Sequence, residues 1–185
     1  MLSLQEFYEL FKQYRRSARR LENRESYDVP SERKWIARFL AGQPRDPEYE
    51  VMKRSWIGTV RAGIERGARM ERVRVVPGSL TPYLRYEVRG NRGNAEAGED
   101  IRYLPRARAH ELDLPDHDFW VFDTEILVLM RFTGDDRPLP HEVVTDPELI
   151  ARHEAWIDLA MQHATPYAEY LAQDPTREDP PPGAA

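Results

Sequence analysis

Apolar positions recur at three- and four-residue steps from the start of the chain: Leu4, Phe7, Tyr8, Leu10, Phe11, Tyr14, Ala18 and Leu21 make one stripe. That period predicts an amphipathic helix running to about Leu21. Its other face carries Arg15, Arg16, Arg19 and Arg20, cations that complement the negative end of a helix dipole. Ser31 is placed to cap a second helix to about Ala41, turning Trp35, Ile36, Phe39 and Leu40 toward the core, and Gly42 ends it. Gln43-Pro44-Arg45-Asp46-Pro47 reads as a surface loop. A third helix spans about Tyr49 to Arg66, with Val51, Met52, Trp56, Ile57, Val60 and Ile64 inward and Gly67 as the left-handed residue that closes it.

The period then changes to two. In Met70–Pro77, Val73 and Val75 alternate with Arg72 and Arg74, which predicts a strand with one apolar and one cationic face. Thr81-Pro82 starts a short helix or extended segment through Val88, and Gly90–Asp100 is loop or one helical turn. Ile101–Leu104 is a short strand stopped by Pro105. Phe119–Asp123 and Ile126–Phe132 are the strongest strands, joined by Thr124-Glu125 as an antiparallel hairpin whose loop lacks the usual Gly or Asn. Asp146 followed by Pro147 caps a final helix to about His163 that buries Leu149, Ile150, Trp156, Ile157, Leu159, Ala160 and Met161. The expected fold is α+β: N-terminal helices and a long C-terminal helix packed on a small mixed or mostly antiparallel sheet. Residues 1–173 read as one domain, with 1–42 a helical extension packed on it. Residues 174–185, DPTREDPPPGAA, offer nothing to bury and are expected to be a disordered tail.

Composition narrows the function classes. The chain of 185 residues is 41% hydrophobic with four Trp, nine Tyr and six Phe, enough for an ordered core. It has no Cys, which removes disulfides, thiolate nucleophiles and cysteine-based metal centres. The longest apolar run, Ile126–Met130, is far short of a membrane span, and MLSLQEFYELFKQYRR lacks the layout of a secretory signal. A soluble cytoplasmic protein with no membrane association is the expectation. Arg outnumbers Lys 24 to 3, which fits both codon bias and recognition of phosphate or carboxylate. Charge is split along the chain: residues 1–108 carry 23 Lys and Arg against 15 Asp and Glu, a net of +8, and residues 109–185 carry 4 against 17, a net of −13. Either the basic half meets an anionic partner or the halves pair internally.

Two sets of residues carry candidate chemistry. Asp116, His117, Asp118 and Asp123 gather three carboxylates and an imidazole at a strand entrance, a composition able to hold a divalent metal or to transfer protons. Acidic residues before a strand are equally ordinary turn formers, and Asp123 reads either as a hairpin corner accepting backbone N–H groups or as a buried acid paired with Arg74 or Arg102. The five histidines show no H-E-x-x-H pattern, and Gly90-Asn91-Arg92-Gly93-Asn94 lacks the lysine and the strand–loop–helix setting of a phosphate loop. The second set is Arg72, Arg74, Arg85, Arg89, Arg102, Arg106 and Arg108 with Tyr83, Tyr86 and Tyr103 interleaved. Guanidinium and aromatic groups together suit a nucleotide or single-stranded nucleic acid, or the arginines pair with the acidic half. The ligand-binding candidates are therefore Arg72, Arg74, Arg85, Arg102, Arg106, Trp120 and Asp123. Asp116, Asp118 and Asp123 are the alternative metal set, and no cofactor is expected.

Asp116-x-Asp118-x4-Asp123 has the spacing of the H-x-K-x4-D motif of phospholipase D-type phosphodiesterases, which this stretch resembles with acids in place of the His nucleophile and the Lys phosphate ligand. A broader resemblance rests on Ser17–Glu22, Tyr27-Asp28-Val29-Pro30, Arg66–Val76, Gly98–Arg102 and Asp118–Asp123, in that order. Over roughly residues 7–172 the chain resembles an actinobacterial family of unassigned function, common in Streptomyces-like genomes and often encoded beside helix-turn-helix regulators. That resemblance implies a regulatory role with a protein partner, a transcriptional regulator, and carries over no catalytic residues. The leading expectation is a non-enzymatic module that binds a protein or an anionic ligand through an arginine-lined sheet face. A degenerate or metal-dependent phosphodiesterase or nuclease, and DNA binding through the basic N-terminal half, are the alternatives.

Overall fold

The computed structural model describes residues 1–173, so the predicted tail at 174–185 lies outside the described residues. The chain runs α1 (Leu4–Gln13), β1 (Ser17–Glu22), α2 (Arg33–Leu40), α3 (Pro47–Glu65), β2 (Arg69–Val76), α4 (Pro82–Gly90), α5 (Arg92–Glu96) and β3 (Asp100–Pro105). It continues α6 (Arg106–Glu111), β4 (Phe119–Phe122), β5 (Ile126–Leu129), β6 (Glu142–Val144), α7 (Pro147–His163), β7 (Thr165–Pro166) and α8 (Tyr167–Gln173). Among the described residues, seven strands form one sheet in the order β6-β5-β4-β1-β2-β3-β7. β1, β2 and β3 are parallel neighbours, and the pairings of β4, β5, β6 and β7 are antiparallel. The fold is α+β with a mixed sheet.

Both faces of the sheet are covered. On one, Leu21, Val73, Val75, Leu104, Phe119, Val121 and Leu127 pack against Ile150, Ile157, Ala160 and Met161 of α7. On the other, Ala18, Met70, Trp120, Phe122 and Val128 pack against Phe7, Phe11 and Tyr14 from the α1 region and Val60 of α3. α1 is closed at its start by a capping box, in which Ser3 Oγ accepts the Glu6 N–H at 3.3 Å and the Glu6 carboxylate accepts the Ser3 N–H at 2.8 Å. α3 and α7 begin at Pro47 and Pro147, behind Asp46 and Asp146 carboxylates that cap them. Gly67 ends the α3 turn at φ +84°, as its position predicts.

Four expectations are corrected. The long first helix stops at Gln13, and Ser17–Glu22 form β1 at the heart of the sheet, so residues 1–42 are no helical extension. Helical periodicity misleads there because β1 is buried on both faces and shows no period of two. Arg19 is inside too, held by Glu71 and by Glu154 and Asp158 of α7. Ser31 does not cap α2, which starts from Glu32 with no side-chain cap. Trp35, Ile36, Phe39 and Leu40 are half-buried or exposed, since α2 contributes no buried residue to the core. The cationic face predicted for β2 is itself covered, with Arg72 and Arg74 buried.

The β4–β5 hairpin forms as expected, but its loop includes Asp123. Asp123 and Thr124 take φ of +55° and +61°, and the Glu125 N–H closes onto the Phe122 carbonyl at 2.9 Å. Positive φ at both central positions matches strand twist in tight hairpins, at some strain for the β-branched Thr124. The Asp123 carboxylate accepts the N–H groups of Arg15, Arg16 and Ser17 at 2.8, 2.6 and 2.9 Å. It therefore pins the turn from α1 into β1, the corner reading of this residue, and those hydrogen bonds hold its pKa down against the partial burial that raises it. Asp123→Ala should lower the unfolding free energy by about 1.5–3 kcal/mol in urea titrations at neutral pH, the cost of hydrogen bonds to a charged acceptor. Asp123→Asn, which keeps one carbonyl acceptor, should lose less.

Candidate functional site

β1 and β2 run parallel with Arg20 beside Arg72 and Glu22 beside Arg74, all four on the sheet face toward α4. Glu22 is the hub: its carboxylate meets Arg20 Nη2 at 2.7 Å, Arg74 Nη1 at 3.0 Å and Arg72 Nη1 at 3.3 Å. Arg72 also meets Glu99 at 2.9 Å and donates to Asn91 Oδ1 at 3.0 Å, while Asn94 donates to Glu99 at 2.7 Å. The Arg74 guanidinium lies over the rings of Tyr27 and Tyr83, 5.2 and 5.9 Å from their centroids, and donates to the Arg24 carbonyl at 3.2 Å. Burial pushes the Glu22 pKa up, and the three guanidiniums outweigh it, taking it down to about 2. Burial likewise opposes the charge on Arg72, but Glu99 and Glu22 raise its pKa on balance. This is an internal ion-pair layer in which Glu22, Arg72, Arg74 and Glu99 are buried and Arg20 is partly buried.

The sequence candidates separate accordingly. Arg72 and Arg74 belong to the ion-pair layer. Trp120 is in the core, stacked with Phe122 and edge-on to Phe11, with the Arg20 guanidinium 5.3 Å from its ring. Arg102 projects to the α7 side, held by Asp100 at 2.8 Å and by the Met161 carbonyl at 2.9 Å. Arg106 reaches the Asn23 carbonyl and Glu25. The alternative metal set does not converge. Asp118 precedes β4 and Asp123 follows it, so a strand length separates them, and Asp118 accepts the Asn23 N–H at 2.7 Å and the Tyr27 hydroxyl. Asp116 is exposed on the loop. Among the described residues, no group of three or more His, Asp or Glu side chains is placed to hold a metal ion. The charge split is partly answered by pairing across the halves: Arg16 to Glu125, Arg19 to Glu154 and Asp158, Arg24 to Asp136.

Of the ligand-binding candidates named from the sequence, Arg85 alone lines an open cavity. α4 divides the two environments: Tyr83 and Glu87 face Arg74, whereas Arg85, Tyr86 and Arg89 line a pocket of about 710 Å³ between α2, the loop after it and α4. α2 contributes Trp35, Arg38 and Phe39 to its wall, and the loop and the start of α3 contribute Arg45, Asp46 and Tyr49. The Arg89 guanidinium lies 5.8 Å from the Phe39 ring centre and that of Arg45 lies 5.8 Å from Tyr49. Arg38 donates to the Pro44 carbonyl at 2.9 and 3.1 Å, which shapes the loop. The one acid of the lining, Asp46, accepts the Glu48 N–H at 2.8 Å as the cap of α3. The lining thus carries four guanidiniums and four aromatic rings around one engaged carboxylate.

Sequence reasoning missed Trp35, Arg38, Phe39, Arg45 and Tyr49. The available signal was Arg38 and Arg45 flanking the proline-bounded loop, but the aromatic residues of α2 have the same spacing whether they face a core or a cavity.

The family described as a domain of unknown function (DUF6879) matches residues 5–172. The chain belongs to this family. No match is found among curated proteins. In this DUF6879 domain, among the described residues, no helix is long and apolar enough to cross a membrane.

The ion-pair layer sets an acid-sensitivity expectation for the DUF6879 domain. Because the Glu22 pKa lies below its ordinary 4.5, its contribution is present above about pH 4.5 and is lost as pH falls toward about 2. Glu22→Gln leaves the buried guanidiniums of Arg72 and Arg74 and the partly buried one of Arg20 short of their common partner and should cost about 3–5 kcal/mol at neutral pH. Urea unfolding at a series of pH values should also show a shallower loss of stability on acidification in the variant than in the parent.

Proposed function

We propose that this domain is a non-enzymatic cytoplasmic binding module, and that its ligand is an anion carrying a planar ring, of the nucleotide class. The observation that carries the reading is the lining of the α2–α4 pocket, which combines guanidiniums for phosphate or carboxylate with aromatic faces for a base. Its volume of about 710 Å³ falls within the range of small-molecule sites. The reading keeps the anionic ligand expected from the sequence and moves it from the sheet face to the helical wall. A partnership with a transcriptional regulator, implied by the family resemblance, is part of the same proposal: the pocket is where such a module would sense its signal. The phosphodiesterase alternative loses its support because Asp118 and Asp123 lie at opposite ends of β4. Of the arginines that would carry DNA binding by a basic first helix, Arg19 is buried on β1, while Arg15 and Arg16 are exposed.

Titration calorimetry with ADP, adenosine and inorganic phosphate as separate probes tests the reading. ADP should bind more tightly than either fragment, since each engages half of the lining. Arg85→Ala should weaken ADP by roughly 10- to 100-fold, the loss of a charge-assisted hydrogen bond, with little change in thermal stability. No binding of ADP, or an Arg85→Ala variant that binds it undiminished, would overturn the proposal.

A further inference from the structure

The loop before β4 brings His117 against His153 of α7, with Nε2 facing Nε2 at 3.1 Å. His153 Nδ1 lies 2.7 Å from the Leu149 carbonyl oxygen, one turn back on the same helix. A carbonyl oxygen only accepts, so Nδ1 carries the proton and the Nε2 of the neutral ring directs a lone pair at His117. Phe119 and Trp156 stand edge-on to the His153 ring at 4.6 and 4.9 Å between centroids and fix its orientation. His153 is buried and His117 half-exposed, so the gap between the two nitrogens is rigid on one side and accessible on the other. Neither residue belongs to the pocket or to the ion-pair layer.

The distance is that of a hydrogen bond between the two rings, and it is also one that a shared metal ion would require. With metal–nitrogen bonds of about 2.0–2.1 Å, two imidazole nitrogens on one ion are about 2.9 Å apart at a right angle and about 3.3 Å apart at the tetrahedral angle. The observed 3.1 Å falls between these values. An imidazole whose second nitrogen donates to a backbone carbonyl is also the usual outer arrangement of a metal-bound histidine. We propose that His117 and His153 form a two-imidazole clip for a late first-row divalent cation, Zn²⁺, Ni²⁺ or Cu²⁺, with water completing the coordination. Imidazole is the ligand these ions share, and two protein ligands make an open, exchangeable site rather than a closed structural centre. Without the ion, one ring donates its Nε2–H to the other. Burial lowers the pKa of both rings. The charged groups that act on the pair are Asp116, Asp118 and Arg131 at His117 and Arg152 at His153.

The test is a ZnCl₂ titration of the full chain near neutral pH, followed through the imidazole nitrogen resonances by ¹H–¹⁵N NMR. The Nε2 signals of His117 and His153 should shift together and saturably, while His110, His141 and His163 stay in place. His117→Gln should weaken Zn²⁺ at least about tenfold, with His153→Asn as a second variant if the first unfolds. Millimolar Zn²⁺ that leaves both rings unchanged, a response confined to the other histidines, or undiminished affinity in a folded variant would overturn the proposal.

Discussion

A carboxylate inside a protein is stable only when its charge is answered on the spot, and Glu22 is answered by three guanidiniums from two neighbouring strands. Much of the architecture follows from that requirement. β1 must lie beside β2, in parallel and in the register that sets Glu22 next to Arg74. The guanidiniums left over need further partners, which come from Glu99 ahead of β3 and from the rings of Tyr27 and Tyr83. The layer therefore ties β1, β2, the approach to β3, the segment after β1 and α4 into one polar assembly. Beside it the same sheet face is purely apolar, with Phe11, Trp120 and Phe122 in aromatic contact.

The polar layer also explains where an open pocket can exist. α4 spends one side on the layer, through Tyr83 and Glu87, and offers the other to α2. α2 is short, bounded by irregular segments, and buries none of its residues, so it acts as a wall standing off α4 rather than as a packed core helix. Ring contacts of Phe39 with Tyr86 at 5.6 Å and of Trp35 with Tyr49 at 5.3 Å hold that wall in place. Glu32, at the foot of α2, carries a pKa pushed up to about 7 by burial and by the nearby Glu87. The base of the wall is thus less well compensated than the Glu22 layer, in keeping with an element that contributes little to the core.

Local patterns were enough for the segments whose structure depends on neighbours in sequence. The helices α3 and α7, the Gly67 turn, β2, β3 and the β4–β5 hairpin follow from caps, breakers and periodicity, because those signals act within a turn or a strand pair, whereas the start of α3 at Pro47 and the helical state of α4 do not. The α+β class follows from their order. Long-range charge pairing was outside that reach. Ser17–Glu22 continues a helical stripe by spacing, and what makes it a buried strand lies far away in sequence: its ladders with β2 and β4, and the partners of Arg19, Glu71, Glu154 and Asp158, 52, 135 and 139 residues on. The composition and the charge split by themselves left two outcomes for the arginines, an anionic partner outside the chain or acids and aromatic rings within it. Tertiary structure alone decided which arginines lie inside the fold and which line a cavity. It closed Arg72 and Arg74 onto Glu22 and left Arg85 beside Arg38, Arg45 and Arg89, because guanidiniums on one strand or helix look alike in sequence until the partners across the fold are in place.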